Sequence, residues 1–106
     1  MAWIYLTLAG MLEVVWAIAL KYSQGFTRAI PTGIVLTAGF GSFYLLGLAA
    51  EEIPIGTAYA VWTGIGAVGT AILGMILFAE PRTWLRLASI LLIVVGMFGL
   101  RVVSPK

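Results

Sequence analysis

Apolar residues run along this chain in four long stretches separated by short polar interruptions. The first extends from about Trp3 to Leu20 and ends at Lys21. Ser23, Gln24, Gly25, Thr27 and Arg28 then mark a loop. The second stretch runs from about Pro31 to Ala49, the third from Pro54 to about Phe78, and the fourth from about Trp84 to Val103. Glu51-Glu52 and Glu80-Pro81-Arg82 interrupt them. Pro31 suits a helix start, because the N–H that proline lacks has no intrahelical partner in a first turn. Each stretch is close to the ~20 residues that cross ~30 Å of hydrocarbon. The runs are long and do not alternate, which argues against barrel strands. In lipid the backbone polar groups must then be satisfied within helices. The pattern predicts an all-α integral membrane protein, with one membrane domain over residues 1–106 and helices at about 3–20, 31–49, 54–78 and 84–103.

Composition narrows the class further. Hydrophobic residues make up 62% of the 106 residues and charged residues only 9%, whereas an ordinary soluble domain is about a quarter charged. So few charges cannot cover a soluble domain of this size, which excludes a water-soluble protein, a disordered chain and a nucleic-acid binder. The chain has no Cys, His or Asp, and its acids are Glu13, Glu51, Glu52 and Glu80. Disulfides, thiol catalysis, zinc sites and imidazole chemistry are therefore excluded. With no second acid, nucleophile or metal set near Glu13, the chain reads as neither an enzyme nor a metal or cofactor protein. Ala17-Ile18-Ala19 resembles a signal-peptide cleavage site. Yet no Lys or Arg precedes the first apolar run and a glutamate interrupts it, so a membrane helix is the expected reading.

Charge leaves orientation open. Both termini and the second loop fall on one side, with Arg101 and Lys106; the other side holds Lys21, Arg28, Arg82 and Arg86. The positive-inside rule favours termini outside by a narrow margin, so single-orientation and two-way insertion both stand.

Candidate chemistry centres on Glu13, the one acidic or basic side chain far from a span end. A carboxylate in mid-bilayer costs at least ~2.5 kcal/mol and must face protein or a wet cavity. Such a group can exchange a proton for a cation; the alternative is a protonated glutamate making one interhelical hydrogen bond. Ala9, Gly10, Trp16, Ala17 and Leu20 share its helix face. In the third span Tyr59, Trp62, Thr63 and Gly66 share a face, and in the second Ser42 lies with Ala38, Gly39 and Leu46. The Tyr59 hydroxyl and Trp62 indole need acceptors in lipid, and Glu13 is the expected one, with Ser42 completing the network. Apolar packing is the competing reading for Trp16, Tyr59 and Trp62. Taken together with one acid, the residues outline an aromatic-lined site for a small cation that can hydrogen-bond back. Trp3 and Trp84 fall at span edges, as interface anchors do.

Gly64 and Gly66 mark a candidate bend in the third span, or else close packing. Ser89, Leu92, Gly96 and Gly99 form one stripe of the fourth span, expected as a seam between chains. Four helices are few for enclosing a path and switching access, so a dimer that shares one site between two Glu13 side chains is expected.

These residues resemble the small multidrug resistance family of four-helix exporters over essentially the whole chain. The likeness is carried by Glu13-Val14-Val15-Trp16-Ala17, Lys21-Tyr22-Ser23, Gly25-Phe26-Thr27-Arg28, Pro31, and the block from Pro54 to Gly66 that reads Pro-Ile-Gly-Thr-Ala-Tyr-Ala-Val-Trp-Thr-Gly-Ile-Gly. Trp16 resembles the guanidinium exporter subtype, since promiscuous members usually carry a small residue there. The resemblance implies an antiparallel, dual-topology homodimer in a bacterial inner membrane that exchanges protons for guanidinium. It implies that Glu13 carries proton or substrate within a shell of Trp16, Ser42, Tyr59 and Trp62, with Tyr59 also coupling the subunits. Glu51-Glu52 departs from the less acidic loop expected of the family. Two alternatives are a quaternary-ammonium or multidrug exporter, and an accessory membrane subunit that acts only with a partner.

Overall fold

The computed structural model describes residues 1–103. Lys106, counted above in the charge balance, lies outside the described residues. Four helices follow one another: α1 (Ala2–Tyr22), α2 (Ala29–Ala50), α3 (Ile55–Leu77) and α4 (Trp84–Val103). All four are long and apolar enough to cross a membrane. The α1 and α2 helices extend one or two residues past the apolar runs at each end, α3 stops one residue short at each end, and α4 matches its run. The α2 helix starts at Ala29, so Pro31 occupies its third position, where a missing N–H still breaks no intrahelical bond. Pro54 caps α3 from outside, its carbonyl accepting the Ala58 N–H at 2.9 Å.

The α1 helix is the hub, packed against both α2 and α3, while α4 is carried on α3. Small residues allow the close crossings. A side chain at Gly10 would strike the Ile65 side chain, and one at Gly69 would strike that of Val14, so at two levels a glycine on one helix seats a branched side chain of the other. At one end Ala2, Leu6, Ala9, Leu46, Ala49, Ile53, Ala58 and Val61 form a buried cluster. The α4 helix leans on α3 by laying Met97 over Gly64, where a built Cβ would lie 2.8 Å from the Met97 Cγ. The Arg101 guanidinium also sits 4.3 Å from the centre of the Trp3 ring.

The result is a slab, 43 × 34 × 16 Å. A helix with its side chains is about 10–12 Å across, so the slab is too thin to enclose its own interior. No described α4 residue is buried, and no atom comes within 4 Å of a Cβ built at Gly96 or Gly99.

Candidate binding site

The site is assembled where α1, α2 and α3 meet. Ser42 is fully buried, because α2 presents Ala38, Ser42 and Leu46 to α1 on one face. Its hydroxyl donates to the Ala9 carbonyl at 2.6 Å and accepts the Trp62 indole N–H at 2.8 Å. One hydroxyl therefore links all three helices through a carbonyl one turn before Glu13. This differs from the expectation that Glu13 would accept the Trp62 donor. Ser42 lies between α1 and α3 and accepts that hydrogen bond instead. A buried pair of this kind fixes helix rotation, because losing either partner strands a polar group at a cost of about 1–3 kcal/mol.

The consequence falls on Glu13. Its Oε1 is buried and has no hydrogen-bond partner among the described residues. The carboxyl rests directly on Gly66 of α3. A methyl group built there would sit 2.7 Å from the Glu13 Cγ and closer still to the carboxyl. Gly66 is thus the space in which the acid is held. The α3 helix runs unbroken through Gly64 and Gly66, both of which are buried and serve as seats for Met97 and Glu13. Gly66→Ala is expected to push the flexible Glu13 side chain out of position while leaving the fold intact. Overpacking of this size costs about 1–3 kcal/mol of stability, so the variant should melt a few degrees lower yet stay folded at the assay temperature, while displacement of the Glu13 carboxyl lowers transport by on the order of tenfold. Comparing uptake and melting of the two proteins checks this.

Aromatic rings line the rest. The Trp16 ring packs near Gly39 of α2, 3.9 Å from a Cβ built there. With Val35, Gly39, Phe43 and Trp62 it lines a cavity of about 300 Å³. The Tyr59 ring lies 5.6 Å from Trp62 at 53° and is more than half exposed. Glu13, Trp16, Ser42 and Trp62 are therefore brought to one junction. Tyr59 stands at its edge, beside the Trp62 ring. Ser89, Gly96 and Gly99 lie on α4, all facing outward. Among the described residues the acid is a charge site without a counter-charge, on a slab that leaves it open on one side.

Some contributors were not singled out from sequence. The Ala9 carbonyl carries no side-chain signal. Glu80 reads from sequence only as part of a chain break and Arg86 only as part of the charge balance, and the structure pairs them. No group of described side chains could hold a metal ion.

Comparison with known proteins bears on this geometry. The family model described as "Small Multidrug Resistance protein" matches residues 1–93. The chain is 56% identical to the guanidinium exporter of Yersinia pestis over 104 residues, which is 98% of this chain and 100% of that protein. It is 55% identical over 101 residues to the guanidinium exporter of Escherichia coli K12, covering 95% of this chain and 96% of that one. The guanidinium exporter of Proteus vulgaris is 52% identical over 104 residues, 98% of this chain and 100% of its own length.

Proposed function

The chain belongs to the small multidrug resistance family, and from that premise we propose that it exports guanidinium in exchange for protons across the bacterial inner membrane. The observation that carries this reading is the Glu13 carboxyl, held against Gly66 at a three-helix junction with its Oε1 buried and without a hydrogen-bond partner among the described residues. Guanidinium is planar and offers N–H donors in a fork that matches a carboxylate. The aromatic faces of Trp16, Trp62 and Tyr59 suit a flat, weakly hydrated cation. A proton and a guanidinium ion are alternatives at one acid, so occupancy by one excludes the other.

The working unit is an antiparallel, dual-topology homodimer. Three features support it: the bare α4 face with Ser89, Gly96 and Gly99, the 16 Å slab, and a Lys/Arg balance of four against two. Joining two such slabs places two Glu13 carboxyls in one chamber, with Tyr59 at the edge of each half where it meets its partner. An asymmetric pair switches access when its halves exchange conformations, because the two states are then equivalent by symmetry. Flexing of α3 at Gly64–Gly66 is the candidate hinge for that exchange. If both glutamates protonate as the cation leaves, two protons enter for each guanidinium exported and one net charge moves per cycle.

Competition at Glu13 is tested by guanidinium binding to the purified protein at a series of pH values. The apparent affinity is expected to fall as the pH is lowered, approaching tenfold per unit for each competing proton. Binding that is flat with pH would place the cation somewhere other than Glu13.

A further inference from the structure

The α1–α3 interface continues past Glu13 with small and polar residues. On α1, Ala17 and Lys21 follow it at one-turn intervals, and on α3, Thr70 and Gly74 follow Gly66 in the same way. Ala17, Lys21, Thr70, Gly74, Phe78 and Glu80 line a second cavity of about 320 Å³ at this end. Its walls hold the Thr70 Oγ1, which is buried without a hydrogen-bond partner among the described residues.

Glu80 closes the outer end because the chain doubles back on itself. Ala79 takes a left-handed backbone conformation, φ 53°, and the Glu80 N–H reaches back to the Gly74 carbonyl at 3.3 Å. Its carboxyl then lies over Gly74, with Cδ 2.8 Å from where a Cβ would stand. There it accepts a 2.6 Å hydrogen bond from the Nη2 of Arg86. The Arg86 Nε, by contrast, is buried and has no partner among the described residues, so within them the fork is engaged by one arm only. Neighbouring Arg82 is occupied elsewhere, donating to the Met75 carbonyl at 3.1 Å. Lys21 points its Nζ at the Phe78 ring, 5.7 Å away.

The head group of Arg86 is chemically the same ion as the proposed cargo. We propose that Glu80 is an outer guanidinium subsite, at which Arg86 acts as the internal competitor that a free guanidinium ion displaces before moving past Thr70 to Glu13. This rests on the guanidinium reading given above. A one-armed contact with an unpaired Nε is a bond that a free ion with a complete fork can replace. The unpartnered Thr70 hydroxyl supplies a polar foothold along the way. In an antiparallel dimer one such mouth would open on each side of the membrane, serving capture on one face and release on the other.

The test is guanidinium-driven proton exchange in liposomes, with KM and maximal rate determined for the wild type, Glu80→Gln, Arg86→Gln and Arg86→Lys. Glu80→Gln is expected to raise KM by about tenfold with maximal rate held within about twofold. Arg86→Gln removes the competitor and is expected to lower KM, while Arg86→Lys, which cannot offer a planar fork, lowers it less. A pair that only braces the α3–α4 turn would shift both single variants in the same direction, and that result overturns the proposal, as does an unchanged KM in each. Should Glu80→Gln fail to fold, Arg86→Lys decides alone: a KM equal to or above the wild type is contrary. Loss of exchange in the wild type would instead refute the guanidinium reading itself.

Discussion

Replacing Glu13 with glutamine is expected to abolish guanidinium transport while leaving the protein folded. Glutamine keeps the size of the side chain and so still fits over Gly66. It loses the negative charge and the ability to carry a proton across the membrane. Truncating one partner of a buried charge pair typically costs 2–5 kcal/mol, so guanidinium affinity should weaken about a hundredfold or more, and proton coupling should vanish entirely. Stability should move in the other direction. The Glu13 Oε1 makes no hydrogen bond among the described residues, so the substitution breaks no contact and removes a charge that is costly to bury. A Glu13→Gln protein that melts at or above the wild-type temperature yet neither binds nor transports the cation is the expected outcome. A variant that transports with protons still coupled would remove Glu13 from the mechanism.

Trp16→Gly is expected to change what is carried rather than whether anything is carried. Trp16 fills space beside Gly39, Val35, Phe43 and Trp62. A tryptophan covers about 150–250 Å² of contact surface, so its loss opens the cavity to cations too bulky for the native site. Size discrimination in an apolar pocket is worth about 10–200-fold. The ratio of guanidinium to bulky quaternary-ammonium transport should therefore fall by about a hundredfold. Glycine within a helix costs about 1 kcal/mol, and Trp16→Ala separates that backbone effect from the change in the pocket. Growth of cells producing each variant, challenged with guanidinium or with a quaternary ammonium compound, reads the ratio. An unchanged ratio would mean that selectivity is set elsewhere.

How far the molecule could be read from its sequence depends on which constraint acted. The four helices follow from apolar runs, because lipid leaves a backbone no other way to satisfy itself. The faces of α1, α2 and α3 also follow, because helical periodicity places Glu13 with Trp16, Ser42 with Gly39, and Trp62 with Gly66. Periodicity does not give the rotation of one helix against another. That rotation sends the Trp62 N–H to Ser42 and leaves the Glu13 Oε1 without a hydrogen-bond partner among the described residues. Only a chain that doubles back at Ala79 brings Glu80 over Gly74 and against Arg86. No local pattern around Glu80-Pro81-Arg82 announces that reversal, since the left-handed residue is an alanine rather than a glycine. Periodicity also places Ser89, Gly96 and Gly99 on one stripe of α4, and all three are exposed.

The most direct test of the central claim is proton efflux from liposomes that contain only this purified chain, driven by an inward guanidinium gradient. Protons should leave as guanidinium enters, and a bulky quaternary ammonium at the same gradient should drive far less. If correctly folded and reconstituted protein moves no protons with guanidinium, or responds to the bulky cation alone, the account of a self-sufficient guanidinium–proton exchanger is contradicted.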